Sequence, residues 1–107
     1  MSGNLPFFCF KMRVKEGAEE EYKQLSIKLT QIAREENKGC LQYTMFQNKD
    51  DPRDFMLIER WIDMDAVNAR IKSLIENFGP PNPGETFPAK LWNLVESATT
   101  ANYELIE

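Results

Sequence analysis

Between Pro6 and Val14 the chain alternates. Phe8, Phe10, Met12 and Val14 fall on one side and Phe7, Cys9, Lys11 and Arg13 on the other, the period of two that marks a strand. Apolar residues on both sides of its first half predict a central rather than an edge position. Glu16-Gly17 breaks the alternation, and Ala18, Tyr22, Leu25, Leu29, Ile32 and Ala33 then recur at helical spacing behind the acidic first turn Glu19-Glu20-Glu21. Lys38-Gly39 closes this amphipathic helix.

The run Cys40-Leu41-Gln42-Tyr43-Thr44-Met45-Phe46-Gln47 is rich in β-formers and predicts a second strand. Turn chemistry at Asn48-Lys49-Asp50-Asp51-Pro52 joins it to a third strand from Asp54 to Ile62, so the two form a hairpin. Asp63 suits the N-cap of a second helix with Val67, Ile71, Leu74, Ile75 and Phe78 on its apolar face, ending at Phe78-Gly79-Pro80. A rigid Pro80, Pro81, Pro83 and Gly84 segment follows. Thr86 and Pro88 then open a short helix bearing Phe87, Leu91, Leu94 and Val95, and alternation over Ala101-Asn102-Tyr103-Glu104-Leu105 supplies the last strand. No internal repeat or low-complexity tract interrupts this order.

A βαββαβ order predicts an α+β fold of the ferredoxin-like type: a four-stranded antiparallel sheet with its helices on one face and an extra short helix before the last strand. The first and second strands are then not neighbours, which sets Cys9 and Cys40 too far apart to bridge and fits a reducing compartment. Both cysteines are expected to be buried thiols. The other sheet face is left partly apolar, and pairing two sheets as a homodimer covers it.

Length and charge narrow the function classes. A chain of 107 residues fits a single domain over 1–107, and 42% hydrophobic with 28% charged residues is ordinary for a globular protein. A net charge of −4 with no basic cluster argues against nucleic acid or an anionic membrane surface as partner. Met1-Ser2-Gly3-Asn4 has no basic leader character, and the apolar run from Leu5 to Phe10 is too short for a signal or a membrane span, so a cytoplasmic location is expected. Two isolated cysteines lack the C-x-x-C spacing of a zinc or redox site.

The stretch Asn37-Lys38-Gly39-Cys40-Leu41-Gln42-Tyr43, followed by Asp51-Pro52, Phe55, Leu57, Glu59-Arg60-Trp61, Asp65-Ala66 and Ser73, resembles the antibiotic biosynthesis monooxygenase family. That family's pattern is E-P-G-C-L-x-Y, then D-P-x-x-F-x-L-x-E-x-W, then a helix alanine with a histidine four residues on. The match spans about two-thirds of the chain, and its strength lies in order and spacing rather than in any one piece. The resemblance implies a dimeric α+β barrel with a pocket between sheet and helices. Its members include cofactor-free oxygenases of polycyclic phenols and quinols, haem-degrading enzymes and an isomerase of signalling sugars, so the fold alone does not fix the function. The family's helix histidine falls on Arg70, and the chain contains no histidine at all, which removes haem degradation and histidine-type metal chemistry.

An oxygenase without metal or flavin requires a substrate that itself reduces dioxygen, such as a phenolate or quinol anion. The protein then supplies binding, deprotonation and charge stabilisation. Arg70, set by helical phase at the border of the apolar face, can hold that anion or the peroxide formed from it. Trp61 can stack on an aromatic ring, Tyr43 can shuttle a proton, and Glu59 can serve as base if burial raises its pKa. Phe46, Leu57, Asn68, Ile71 and Trp92 complete the candidate substrate-contacting set, with Asn68 as a hydrogen-bond donor and Trp92 as a lid.

Each residue has an ordinary structural role as well. Trp61 suits core packing, Arg70 an ion pair with Glu59 or Glu76, Tyr43 and Glu59 a satisfied interior, and Trp92 the pinning of the third helix. The expected function is a cofactor-independent monooxygenase acting on a small aromatic or quinol-type substrate. The alternatives are a non-catalytic dimeric small-molecule-binding or stress-response module and an isomerase of a small phosphorylated metabolite.

Overall fold

A computed structural model of the chain describes residues 5–104 and 106. The elements run β1 (Phe7–Val14), α1 (Glu19–Glu36), β2 (Cys40–Gln47), β3 (Asp54–Trp61), α2 (Met64–Phe78), α3 (Ala89–Trp92) and β4 (Val95–Asn102). The four strands form one antiparallel sheet in the order β2-β3-β1-β4. The ferredoxin-like βαββαβ order with an extra short helix is therefore the fold of this chain.

Register explains which face is buried. Phe10 opposes Leu57, Met12 opposes Phe55, and Tyr43 opposes Glu59, so these side chains share one face. Met12, Val14, Tyr43, Phe55, Leu57 and Trp61 from that face meet Tyr22, Leu29, Ile32 and Ala33 of α1 and Ala66, Leu74 and Phe78 of α2 in one core. Phe7, Cys9, Met56, Ile58 and Phe46 point the other way, where among the described residues no helix packs. Cys9 and Cys40 lie on strands separated by β3, unbridged and half-buried rather than fully buried as expected.

Local chemistry sets the boundaries. Asp63 caps α2, its Oδ1 accepting from the Ala66 N–H at 2.8 Å, and the Gly79 N–H closes the other end on the Ile75 carbonyl. Gly39 has φ +89°, and a Cβ there would meet the Ala66 Cβ and the Ile62 Cγ1 at 2.9 Å each. The turn between α1 and β2 thus needs glycine twice over, for its backbone conformation and for its close approach to α2.

The third helix and last strand depart from the expectation. α3 is a single turn ending at Trp92, and Val95 begins β4 instead of closing the helix. The strand ends at Asn102, so of the expected 101–105 segment Ala101 and Asn102 are strand, Tyr103 and Glu104 are not, and Leu105 lies outside the described residues. The cause is exposure: Ser97 to Thr100 are exposed on both faces of an edge strand, so nothing requires apolar alternation there. Among the described residues no helix is long and apolar enough to cross a membrane.

Candidate functional site

The hairpin and the start of α2 bring four sequence-selected residues together. Tyr43 on β2 lies directly across from Glu59 on β3, and Trp61 follows two residues later on the same face. The Trp61 Nε1–H donates to the Glu59 Oε1 at 2.6 Å. From α2, the Arg70 guanidinium lies 4.9 Å from the centroid of the Tyr43 ring.

Arg70 is 3% exposed, at the centre of the buried line Ala66, Arg70, Leu74 and Phe78, not at the border of the apolar face as its phase suggested. The helix turns this i, i+4 line to the core and leaves Val67, Ile71 and Ile75 half-buried beside it. Arg70 forms no ion pair with Glu59, Glu76 or any other described residue. Its Nη1 donates to Asn37 Oδ1 at 3.0 Å and its Nη2 to the Leu29 carbonyl at 3.1 Å. Asn37 is the residue on which α1 ends, two positions before Gly39, so the glycine turn places this acceptor.

Burial governs the electrostatics. Glu59 has its pKa raised by desolvation, against the opposing pull of the Trp61 hydrogen bond and the Arg70 charge. Burial also pushes the Tyr43 hydroxyl up to about 12, opposed by Arg70 and assisted by Glu59. Tyr43 is therefore a neutral donor at physiological pH. Among the described residues no buried side-chain polar atom lacks a hydrogen-bond partner, so the cluster is internally satisfied.

Trp61 is fully buried, and neither of two clefts beside β2 is lined by Trp61, Glu59 or Arg70. Tyr43, itself buried, is the one member of the cluster that also lines a cleft. A cleft of about 340 Å³ is lined by Arg34, Cys40, Leu41, Gln42, Tyr43 and Thr44 along the edge strand. It coincides with a register irregularity between Cys40 and Gln42, a bulge of the kind that re-aims side chains at sheet edges. Arg34 borders it and donates from Nη2 to the Tyr43 carbonyl at 2.9 Å.

The remaining candidates are dispersed. Leu57 is in the core beneath the cluster, Phe46 is 45% exposed on the other sheet face, and Asn68 is exposed on α2. Ile71 is half-buried, and Trp92 packs against Phe87 with ring centroids 6.3 Å apart. Sequence reasoning missed Asn37, Arg34 and Cys40. The available signal was position: Asn37 and Cys40 flank the glycine turn that the helix end made legible. For metals, no three cysteine or carboxylate side chains converge among the described residues.

Comparison with known proteins bears on the fold and the family. Among proteins of curated function, none matches the chain. A Pseudomonas aeruginosa structure superposes with TM-score 0.77 at 18% identity, covering 100% of this chain and 99% of that one. A Nitrosomonas europaea protein, provisionally named an antibiotic biosynthesis monooxygenase, superposes with TM-score 0.78 at 15% identity over 99% of this chain and 94% of its own. A Shewanella oneidensis structure gives TM-score 0.73 at 22% identity over 95% and 92% of the two chains. These likenesses establish the fold. The family model described as antibiotic biosynthesis monooxygenase matches residues 9–74, from β1 through most of α2 and including Tyr43, Glu59, Trp61 and Arg70, and the chain belongs to that family.

Proposed function

We propose that the chain is a cofactor-independent monooxygenase acting on a small, electron-rich aromatic or quinol-type substrate. The observation that carries this reading is the buried Arg70 guanidinium, hydrogen-bonded to neutral acceptors and left without an ion-paired carboxylate. A buried cation without a paired anion is costly, and it favours negative charge arising next to it. Membership of a monooxygenase family gives that charge a chemical meaning: a substrate phenolate or the peroxide formed from it.

In the proposed reaction a ring CH₂ or its enol tautomer is oxidised to a carbonyl, one atom of dioxygen remains on carbon, and the other leaves as water with the two hydrogens. All electrons come from the substrate. The ring enters by the cleft at Cys40 and Tyr43 and reacts against the cluster behind it once α2 gives way, where Glu59 accepts the first proton, Arg70 stabilises the anion across the Tyr43 ring, and the neutral Tyr43 hydroxyl donates a proton to the departing oxygen. Trp61 orients the Glu59 carboxylate through its indole N–H and acts as a positioning residue.

The working unit in this proposal is a homodimer. Phe7, Cys9, Met56, Ile58, Phe46 and Tyr103 form the apolar part of the sheet face that no helix covers, and a second copy covers it most simply. A second reading, a ligand-binding dimer without turnover, is favoured by the complete hydrogen-bond satisfaction of the cluster without any substrate. Oxygen-electrode measurements over a panel of quinols and anthrones separate the two. Uptake that is lost in Arg70→Lys supports the enzyme, and saturable binding with no oxygen consumption for any member of the panel overturns it.

A further inference from the structure

Beside the Tyr43 cleft lies a second one, and its composition is not that of the first. About 370 Å³ of space lies between α1 and the edge strand β2, over a floor that includes Phe55. That volume is at the lower end of small-molecule sites, roughly 300–1,000 Å³. Its α1 wall is the series Lys23, Ser26, Ile27, Thr30, Gln31 and Arg34, a stripe at i, i+3 and i+4 spacing that shares only Ser26 with the line α1 buries against the sheet. The groove therefore runs about 16 Å along the helix, at about 1.5 Å per residue.

Two properties identify an occupant. The walls are apolar in the middle, where Ile27, 47% exposed on α1, and Met45 on the helix-facing side of β2 line the space, and Phe46, whose side chain lies on the other sheet face, borders it only at the strand edge. The charge is of one sign: Lys23 and Arg34 line the two clefts, which between them have no carboxylate, in a chain whose net charge is −4. Arg34 forms no ion pair with a described residue, and its hydrogen bond to the Tyr43 carbonyl fixes the guanidinium at the junction of the two clefts. A fixed, uncompensated guanidinium at one end of an apolar trough complements an anionic head on an apolar tail.

We propose that the α1–β2 groove is a binding site for a free, elongated amphipathic acid, its carboxylate or phosphate head on Arg34 and its tail along Ile27 and Met45 over Phe55. Lys23, at the far end, contributes little because it meets the tail rather than the head. The groove shares Arg34 with the Tyr43 cleft but takes in neither Arg70 nor Glu59, so binding here can be read apart from turnover.

The test is a titration of the ¹⁵N-labelled full chain with decanoate, decyl phosphate and decyltrimethylammonium, each kept monomeric and followed by amide chemical shifts. Both anions are expected to give saturable shifts confined to residues 23–34 and 43–47, and the cation none; the difference between the two anions tells carboxylate from phosphate. Arg34→Gln is expected to weaken binding about tenfold, the loss of one charge-assisted hydrogen bond. Lys23→Gln is expected to change it less than twofold, and Ile27→Glu, a carboxylate on an exposed wall position, to abolish it. Equal binding of the cation, shifts centred on the uncovered sheet face, or an undiminished affinity in Arg34→Gln overturns the proposal. A loss in Lys23→Gln as large as in Arg34→Gln overturns the assigned orientation.

Discussion

Arg70 occupies a position where packing alone asks for a leucine, and its three neighbours in the buried line of α2 are alanine, leucine and phenylalanine. Removing it strands two acceptors, the Asn37 side-chain oxygen and the Leu29 carbonyl. Arg70→Ala is therefore expected to lose about 2–4 kcal/mol of stability, measurable by chemical denaturation, in addition to any loss of turnover. Glu59 gives a prediction of opposite character. Its folded pKa is raised, so it holds its proton more tightly in the folded state, and the associated stability is full at low pH and declines as pH rises through the folded value. Thermal melts of the wild type and Glu59→Gln from about pH 4 to 8 should show wild type losing ground to the variant as pH increases. A parallel pair of curves would contradict the burial effect. Tyr43, Glu59, Trp61 and Arg70 were legible in the sequence because a family pattern orders them. The role of Asn37 was not, because an uncharged amide at a helix end satisfies a turn equally well, and only the folded distance to Arg70 separates the two uses.

At the scale of elements, the connection from α1 into β2 has the narrowest tolerance. Gly39→Ala must force an L-residue to φ near +89° and push its Cβ into Ala66 and Ile62. A loss of about 1–3 kcal/mol is expected. A larger fractional loss of ligand affinity or turnover should accompany it, because the same turn sets Asn37 against Arg70. Asp63→Ala tests the other end of the contact: α2 loses its N-cap, at about 1 kcal/mol, and the melting temperature should fall by about 4–8 °C. Elements with strong punctuation were readable from the sequence. β2 begins just after Gly39 and ends just before the Asn48–Pro52 turn, as expected. α3 and β4 were not separable, because Leu91, Leu94 and Val95 keep helical spacing across a boundary that only the docking of β4 on β1 decides.

The described residues form a sheet covered by helices on one side. If the bare side pairs with a second copy, light scattering behind size exclusion should give twice the 12.5 kDa of one chain, and Ile58→Asp, at the centre of that face, should give the monomer mass. An unchanged dimer in that variant would move the interface elsewhere. The ferredoxin-like order was readable because alternation, helical spacing and turn residues agree along most of the chain. The extent of cover over β4 was not, since exposure is a property of the assembled layers.

The contact made by Gly39 also bears on motion. With no room for a single carbon between the α1–β2 turn and the first turns of α2, the two cannot slide past each other. A tilt of α2 that admits a ligand to the Arg70 cluster has to carry the end of α1 with it, as one lever about the turn. Opening would then appear in relaxation measurements as a single exchange process shared by the amides of 37–40 and 66–70, at one rate, rather than as independent breathing of helix and turn.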